Sequence, residues 1–341
     1  MVVAEVVIVT FQPKGDCDVV VIGGGAAGLS GAQMLARARR SVVVIDAGTP
    51  RNSSAEGVHG LLALDGIPPG ELLERGRAEV RRYGGHVVDG EVTAAARDGE
   101  DLFRVTLADG RTLRARRLLV ATGLVDELPE MPGLRERWGK EVLHCPYCHG
   151  WEIRDRAMGV LANGPLSVLQ ALLFRQWSDD VTYFTHTNPA PSAEEAEKLA
   201  ARGINLVNGE VSALEIDRGR LVGVRLEDGT AVGCEVLMVS SRLVARAGFL
   251  AELGLRPVEH PAGIGEYIPC EAGGRTAVPG VWVAGNATSL ADRAVAAAAA
   301  GISAAAQINA DLVEEETREA VITHRMSLRP LPERDFVNRG G

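Results

Sequence analysis

Two cysteines separated by two residues, Cys145 and Cys148, are the side chains in this sequence best suited to chemistry. At this spacing the sulfurs can close a small disulfide ring, and a lowered pKa would make one thiol a nucleophile. His144 and His149 flank the pair, and a histidine can take or give a proton near neutral pH. The pattern predicts thiol–disulfide exchange with all four as catalytic residues. We favour proton transfer for His149 and leave His144 open between proton transfer and structural hydrogen bonding.

Zinc binding is the alternative for two cysteines and two histidines within six residues. Structural zinc sites normally take their second pair of ligands from farther along the chain, so we predict no metal. Cys17, Cys234 and Cys270 have no partner nearby in the sequence, and we interpret them as structural. Five cysteines with one close pair favour a cytoplasmic protein over a secreted disulfide scaffold.

A glycine-rich turn near the N-terminus has the spacing Gly23-x-Gly25-x-x-Gly28. It lies between an apolar run at 19–22 and a segment of helical periodicity. These glycines permit a tight turn, close approach to a pyrophosphate, and close packing of helix on strand. Asp46 follows the next predicted strand, where a carboxylate can accept hydrogen bonds from ribose hydroxyls. The pattern predicts a dinucleotide site, with a merely tight turn as the alternative.

The order of elements predicts an α/β fold built from two Rossmann-like dinucleotide-binding domains, the second inserted into the first. We predict an FAD-type domain at 1–126 and 252–320, an inserted domain at 127–251, and a C-terminal tail at 321–341. Strands are predicted at 19–22, 42–45, 103–107, 118–121, 158–161, 181–184, 237–240 and 281–284. Helices are predicted at 71–83, 168–176, 194–202 and 292–316. Hairpins are predicted through Asp109-Gly110 and Asp228-Gly229.

The composition argues against two classes of partner. The net charge is −9, only 4% of residues are aromatic, and no basic block is present, so we expect no nucleic acid. No apolar run approaches the roughly 18 residues that span a bilayer, so we expect no membrane insertion. Residues 1–11 are apolar but lack a basic region and a cleavage site, and we interpret them as an extra segment rather than a signal peptide.

Taken together, these motifs resemble the low-molecular-weight thioredoxin reductases across residues 16–317. The resemblance implies bound FAD, a homodimer, Cys148 as the thiol on the flavin side, and Cys145 as the exchanging thiol. Ala121-Thr122-Gly123 and Ala284-Gly285-Asn286 resemble the other two FAD loops of such flavoproteins. The implied FAD contacts are Gly23, Gly25, Ala27, Gly28, Asp46, Ala47, Arg51, Asn52, His59, Val92, Ala121, Thr122, Gly123, Gly285, Asn286, Ala294 and Val295.

The inserted domain departs from that family at three places. The expected Gly-x-Gly-x-x-Ala/Gly loop is replaced by residues 162–167, Ala-Asn-Gly-Pro-Leu-Ser. The arginines that hold the 2′-phosphate of NADPH are replaced by residues 185–188, Thr-His-Thr-Asn, and a third loop is Ser-Ser-Arg at 240–242. The resemblance therefore predicts that NADPH binding is lost. Two smaller departures are His149 and Asn286, where the reductases usually have aspartates.

These departures, with the Cys-x-x-Cys-His motif, resemble the FAD-dependent dithiol oxidases that close the disulfides of holomycin and gliotoxin. The resemblance implies that a small dithiol natural product reduces the cysteine pair and that electrons pass through FAD to O2, giving H2O2. Three alternatives remain: a thioredoxin-type reductase that uses NAD(P)H, a reductase fed by another donor such as ferredoxin, and a flavin-containing redox sensor without turnover.

Overall fold

The computed structural model describes residues 15–327, so the predictions for 1–11 and for the tail beyond 327 lie outside the described residues. The α-helices are α1 (Ala26–Arg37), α2 (Pro69–Arg82), α3 (Leu134–Arg137), α4 (Pro146–His149), α5 (Ser167–Phe174), α6 (Ala193–Ala201) and α7 (Ala294–Ser327). The strands are β1 (Cys17–Ile22), β2 (Val42–Asp46), β3 (His86–Asp89), β4 (Val92–Asp98), β5 (Leu102–Leu107), β6 (Thr112–Val120), β7 (Leu124–Glu127), β8 (Val142–Leu143), β9 (Met158–Leu161), β10 (Val181–Phe184), β11 (Asn205–Val207), β12 (Val211–Asp217), β13 (Arg220–Leu226), β14 (Ala231–Gly233), β15 (Val236–Met238), β16 (Arg242–Ala245), β17 (Val258–Glu259), β18 (Gly265–Tyr267) and β19 (Val281–Val283).

The first sheet has the order β3-β2-β1-β6-β5-β4, and β19 also pairs with β6. Strands β3, β2, β1, β6 and β19 run parallel, as βαβ connections require. Alternate residues of β1 enter two cores, with Val19 and Val21 packing on the α1 side and Val20 and Ile22 on the other. Both faces of this sheet are therefore covered, as expected for a doubly wound fold.

Strand β6 joins two elements that the sequence predicts as separate. Its first residues, 112–115, pair antiparallel with β5 and complete the predicted hairpin. Its last residues bond parallel to β1 and β19. One strand thus serves the hairpin and the parallel sheet at once, because both sets of partners lie along a single extended segment.

The inserted unit has its own parallel sheet, of order β11-β10-β9-β15-β8, and an antiparallel sheet β12-β13-β14. Separate cores surround it, including one that buries Phe174 and Met158. Strands β7 and β16 pair antiparallel, so the segment that enters the inserted unit and the segment that leaves it lie side by side. The α/β fold with one Rossmann-like unit inserted in another is confirmed.

Helix α7 begins at Ala294 and continues through Ser327, beyond the predicted segment 292–316 and into the first residues of the predicted C-terminal tail. The last turns are exposed, and an exposed helix has no apolar periodicity to reveal it. Arg116 bonds to Glu315 and Glu316, and Arg117 to Asp311, which anchors the helix to β6. Within residues 15–327, no helix is both long and apolar enough to cross a membrane.

Candidate active site

A single large cavity, with a volume of about 1390 Å³, contains both the glycine loop and the cysteine pair. Its walls come from the ends of β1 and β2, from α4 and α5, and from the segment leading into α7. Cofactor and drug-sized ligands usually occupy about 300–1,000 Å³. The cavity is therefore large enough for a dinucleotide and a second small molecule.

The glycine loop is shaped by close backbone contacts that exclude side chains. Gly23 has φ 109°, and a Cβ there would lie 2.3 Å from the Ala121 carbonyl oxygen. A Cβ on Gly28 would lie 1.9 Å from the Gly23 carbonyl oxygen. The first glycine thus makes the turn, and the third lets α1 pack closely on β1, as the spacing predicts.

The loop also leaves space for an anion at the start of α1. A Cβ on Gly25, the N-cap residue, would meet no atom within 4 Å, and no side chain caps the helix. The first N–H groups of the helix therefore face the cavity, where they and the helix dipole favour a pyrophosphate. Asp46 lies on the same wall, where its carboxylate accepts a hydrogen bond from Arg77 Nη2 at 2.5 Å and can also accept from ribose hydroxyls. These residues fit a dinucleotide such as FAD.

Most residues predicted to contact the cofactor meet around this cavity. Gly28 and Gly285 support the wall from behind, and a Cβ on Gly285 would lie 2.9 Å from the Ala27 Cβ atom. Val295 does not line the cavity and is 46% exposed, because Ala294 and Ala297 occupy the cavity face of α7 and its neighbour points elsewhere. The predicted residues on the wall are Gly23, Gly25, Ala27, Asp46, Ala47, Arg51, Asn52, His59, Val92, Ala121, Thr122, Gly123, Asn286 and Ala294.

Cys145 and Cys148 form a disulfide that lines the same cavity, and both residues are half-buried. Cys145 is the N-cap of α4, with Pro146 at the first helical position, where a missing N–H costs nothing. A Cβ on Gly150 would lie 2.6 Å from the Trp177 ring, so the end of α4 packs closely against the turn that follows α5. Both sulfurs are engaged in the bond, and among the described residues no cluster of three or more His, Cys, Asp or Glu side chains could hold a metal.

His144 is held in its neutral form. Arg51 lies with Nη2 3.3 Å from His144 Nε2, and since a guanidinium can only donate, the histidine nitrogen accepts. Burial and the Arg51 charge lower the pKa of His144 to about 4. Its ring stacks on Trp138 with centroids 5.4 Å apart. Its Nε2 atom already accepts a hydrogen bond from Arg51, which favours structural hydrogen bonding over proton transfer as the role of His144.

His149 lines the cavity directly after Cys148. Burial lowers its pKa below the ordinary value, His59 lowers it further, and Glu152 opposes them. A histidine with a lowered pKa is neutral at pH 7 and can accept a proton. His149 therefore has the protonation state required of a base beside the disulfide.

Arg51 and His59, both predicted to contact the cofactor, also bond to protein groups. The Arg51 guanidinium donates two hydrogen bonds of 2.7 Å to Asp126. Burial alone would raise the pKa of Asp126, but this pairing keeps it below its ordinary value. His59 lies between Asp65 and Glu152, at 3.3 and 3.4 Å. Both side chains therefore tie the loop after β2 to the segments that carry the cysteine pair.

Asn286 has a local reason to differ from aspartate. Its Nδ2 donates to the carbonyl oxygens of Ser289, Leu290 and Asp292, at 3.0, 3.2 and 2.9 Å. An aspartate carboxylate would face three carbonyl oxygens without a proton to donate. The asparagine therefore fixes the loop that leads into α7 at the edge of the cavity.

The loop after β9 is closed by hydrogen bonds within the protein. Asn163 Nδ2 donates to the Ser240 carbonyl oxygen at 2.6 Å, and the Ser240 N–H donates to Asn163 Oδ1 at 3.0 Å. Asn188 Nδ2 donates to the Gly164 carbonyl oxygen at 2.9 Å. The three segments that depart from the reductase pattern thus bond to one another.

A protein-family model described as "Pyridine nucleotide-disulphide oxidoreductase" matches residues 17–301. The chain belongs to this family. It is 34% identical over 257 residues to "Thioredoxin reductase tcpT" of Claviceps purpurea, covering 70% of this chain and 77% of that protein. It is 30% identical over 286 residues to "Thioredoxin reductase aclD" of Aspergillus oryzae, covering 80% and 88%.

Solved structures agree with this assignment. The crystal structure of HlmI has 44% sequence identity and a TM-score of 0.87, over 94% of this chain and 99% of that one. An oxidoreductase from Agrobacterium tumefaciens has 35% identity and a TM-score of 0.82, over 88% and 99%. The resemblance to thioredoxin reductases is confirmed, and the protein is an oxidoreductase of sulfur groups related to flavoproteins.

Several cavity residues of this oxidoreductase were missed by sequence reasoning. Asp126 and Trp138 come from the connection into the inserted unit, and Arg293 precedes α7. Nothing in their immediate sequence marks them, because their positions depend on how the two units meet. Leu166, Leu169, Gln170 and Leu173 also line the cavity, and their spacing of i, i+3, i+4 and i+7 is a signal that could have identified a helix face.

Proposed function

We propose that this oxidoreductase is an FAD-dependent dithiol oxidase that closes a disulfide in a small molecule and reduces O2 to H2O2. The observation that carries the proposal is the closed loop after β9, where Asn163 and Ser240 bond to each other. In the proposal no nucleotide binds at that loop, and electrons reach the cysteine pair from substrate thiols. The thioredoxin-type reductase that uses NAD(P)H is the alternative that this loop argues against.

The chemistry divides into two exchanges at the cysteine pair. A substrate thiolate attacks Cys145 Sγ, and the Cys145–Cys148 bond breaks with Cys148 leaving as a thiolate. The second substrate thiolate then attacks the substrate sulfur of the mixed disulfide, which releases Cys145 and closes the product disulfide. The dithiol thus loses two electrons and two protons, and the cysteine pair gains the electrons. The residues of the glycine loop around Gly23 and Gly25 would hold FAD, which would supply the transfer of this electron pair to O2.

His149 accepts the proton from the attacking substrate thiol in this scheme. It is neutral at pH 7 because of its lowered pKa, and it lines the cavity beside the disulfide. His144 instead positions the pair, because its Nε2 accepts from Arg51 and its ring stacks on Trp138. Asp126 in turn accepts a hydrogen bond from Arg51, and both residues belong to the FAD-type domain, so this pair fixes the position of the Arg51 guanidinium beside His144.

The pH dependence of the reaction tests the role of His149. In the wild-type protein the rate of flavin reduction by a dithiol should fall only as the pH drops below about 6.5, since His149 is protonated only there. In His149→Gln only preformed thiolate reacts, so the rate should rise about tenfold per pH unit up to the thiol pKa near 8.5. Stopped-flow absorbance measures both profiles. His324→Gln, at an exposed position on α7, is the control and should keep the wild-type profile. Identical pH profiles in wild type and His149→Gln would show that His149 is not the base.

The stoichiometry of the aerobic reaction tests the proposed function. With dithiothreitol, the oxidase should consume one O2 and release one H2O2 for each disulfide formed, without added nucleotide. An oxygen electrode and a peroxidase-coupled assay measure both quantities. Turnover that requires NADPH would overturn the proposal and favour a reductase.

A homodimer in the cytoplasm is also part of the proposal. The exposed apolar side chains Val321, Ile322 and Met326 on the last turns of α7 support an association through this helix. The acidic net charge supports the absence of nucleic acid as a partner.

A further inference from the structure

Helix α5 is apolar on two sides, although only one side packs in a core. Ser167, Ala171 and Phe174 are buried against the inserted sheet. Leu166, Leu169 and Leu173, which we call the leucine stripe, follow one another at i, i+3 and i+7 and line the cavity. Leu166 is 41% exposed and Leu169 is 52% exposed. A surface helix normally carries polar residues on such a face, so the stripe requires an explanation.

The leucine stripe lies beside the cysteine pair. Helix α4 packs on α5, and both helices contribute to the same cavity wall. Tyr147, between the two cysteines, is exposed, and its ring meets Trp177 edge-on at 5.8 Å. The guanidinium of Arg293 lies over the Tyr147 ring, 5.4 Å from its centroid. A ligand that reaches the disulfide from this side must therefore contact Tyr147 or the stripe.

The three leucines of the stripe carry no charge, and the polar Gln170 next to Leu169 on α5 is already engaged. Gln170 Oε1 accepts a hydrogen bond from Ser240 Oγ at 3.1 Å. A polar group placed against the three leucines would lose its hydration without gaining a hydrogen bond from them, whereas an apolar ring would bury surface at a gain. The cavity volume of about 1390 Å³ leaves room for such a ligand next to a dinucleotide.

We propose that the leucine stripe of α5 is the specificity-determining wall of the substrate site and that it selects dithiols with an apolar ring. This proposal rests on the proposed dithiol oxidase function and names its substrate class. In this account, the helix that would follow a nucleotide loop in a reductase has become a binding surface for the substrate. The stripe positions the ring while the two thiols face Cys145.

The test compares two dithiols that both close six-membered disulfide rings: benzene-1,2-dimethanethiol, which is apolar and aromatic, and dithiothreitol, which carries two hydroxyls. The rate of flavin reduction is measured anaerobically with the flavin-bound protein. In Leu166→Gln/Leu169→Gln the second-order rate constant for the aromatic dithiol should fall about tenfold, while that for dithiothreitol stays within about twofold. The control is Leu206→Gln, an exposed position on β11 that does not line the cavity, and it should change neither rate.

Three results would overturn the proposal. An equal loss of rate for both dithiols, or no loss for either, would show that the stripe does not discriminate between the aromatic dithiol and dithiothreitol. A change of oligomeric state in the double variant, measured by light scattering, would assign the stripe to contact with a second copy. Failure of the proposed function is distinguishable, because it appears in the wild-type protein as turnover that requires NADPH, whatever the leucine substitutions do to the two rates.

Discussion

Cys145→Ser is expected to lower the rate of flavin reduction by a dithiol by more than about 10³-fold, the scale of loss when a covalent nucleophile is removed. The reason is that the substrate thiolate has no disulfide to attack once the Cys145–Cys148 bond cannot form. Cys148→Ser should have the same effect for the same reason. Anaerobic stopped-flow absorbance of the flavin measures the loss directly, and the flavin content of each variant should stay at the wild-type level.

Cys270→Ser is the matched control for both variants. Cys270 is exposed and lies with Sγ 3.1 Å from Thr288 Oγ1, away from the disulfide. The change should leave the rate within about twofold of wild type. If Cys145→Ser reduced its flavin at the normal rate, the dithiol would be reacting with the flavin directly and the exchange scheme would be wrong.

Gly28→Ala is expected to lower both stability and flavin binding, whereas Gly25→Ala is expected to lower flavin binding alone. The added Cβ at Gly28 would overlap the Gly23 carbonyl oxygen, so α1 must move off β1. We expect the free energy of unfolding to fall by about 1–3 kcal/mol and the protein to lose its flavin. At Gly25 the Cβ enters the open cavity, so stability should stay within about 0.5 kcal/mol, but the methyl group occupies the space of the pyrophosphate.

Denaturant unfolding of the flavin-free proteins and flavin titration separate the two effects. Gly70→Ala on α2, where a Cβ would also meet no atom within 4 Å, is the control and should change neither quantity. Full flavin affinity in Gly25→Ala would contradict a pyrophosphate at this loop.

The fold was largely predictable because its signals are local. The apolar run of β10 coincides with the predicted 181–184, and the glycine loop lies between β1 and α1 as its spacing requires. The merged strand β6 was not predictable, because its two halves are joined only by partners distant in sequence. The last turns of α7 were missed because an exposed helix leaves no apolar pattern.

The candidate site was predictable to the extent that single motifs define it. The disulfide pair and the first glycine loop need only neighbouring residues, and both line the cavity. The neutral state of His144 depends on its burial and on Arg51, which is 93 residues away in sequence and belongs to the other domain. The position of the leucine stripe beside α4 likewise depends on the packing of the inserted unit. Such contacts depend on tertiary structure, so they cannot be predicted from local sequence patterns.

The central claim is that electrons enter from a dithiol and not from a nicotinamide nucleotide. It is tested most directly by mixing the flavin-bound protein, without oxygen, with NADPH and separately with dithiothreitol, and following the visible flavin absorbance. We predict bleaching by dithiothreitol, no bleaching by NADPH, and recovery of the absorbance with formation of H2O2 when air is admitted. Rapid bleaching by NADPH would show that the loop closed by Asn163 and Ser240 still admits a nucleotide, and it would contradict the account.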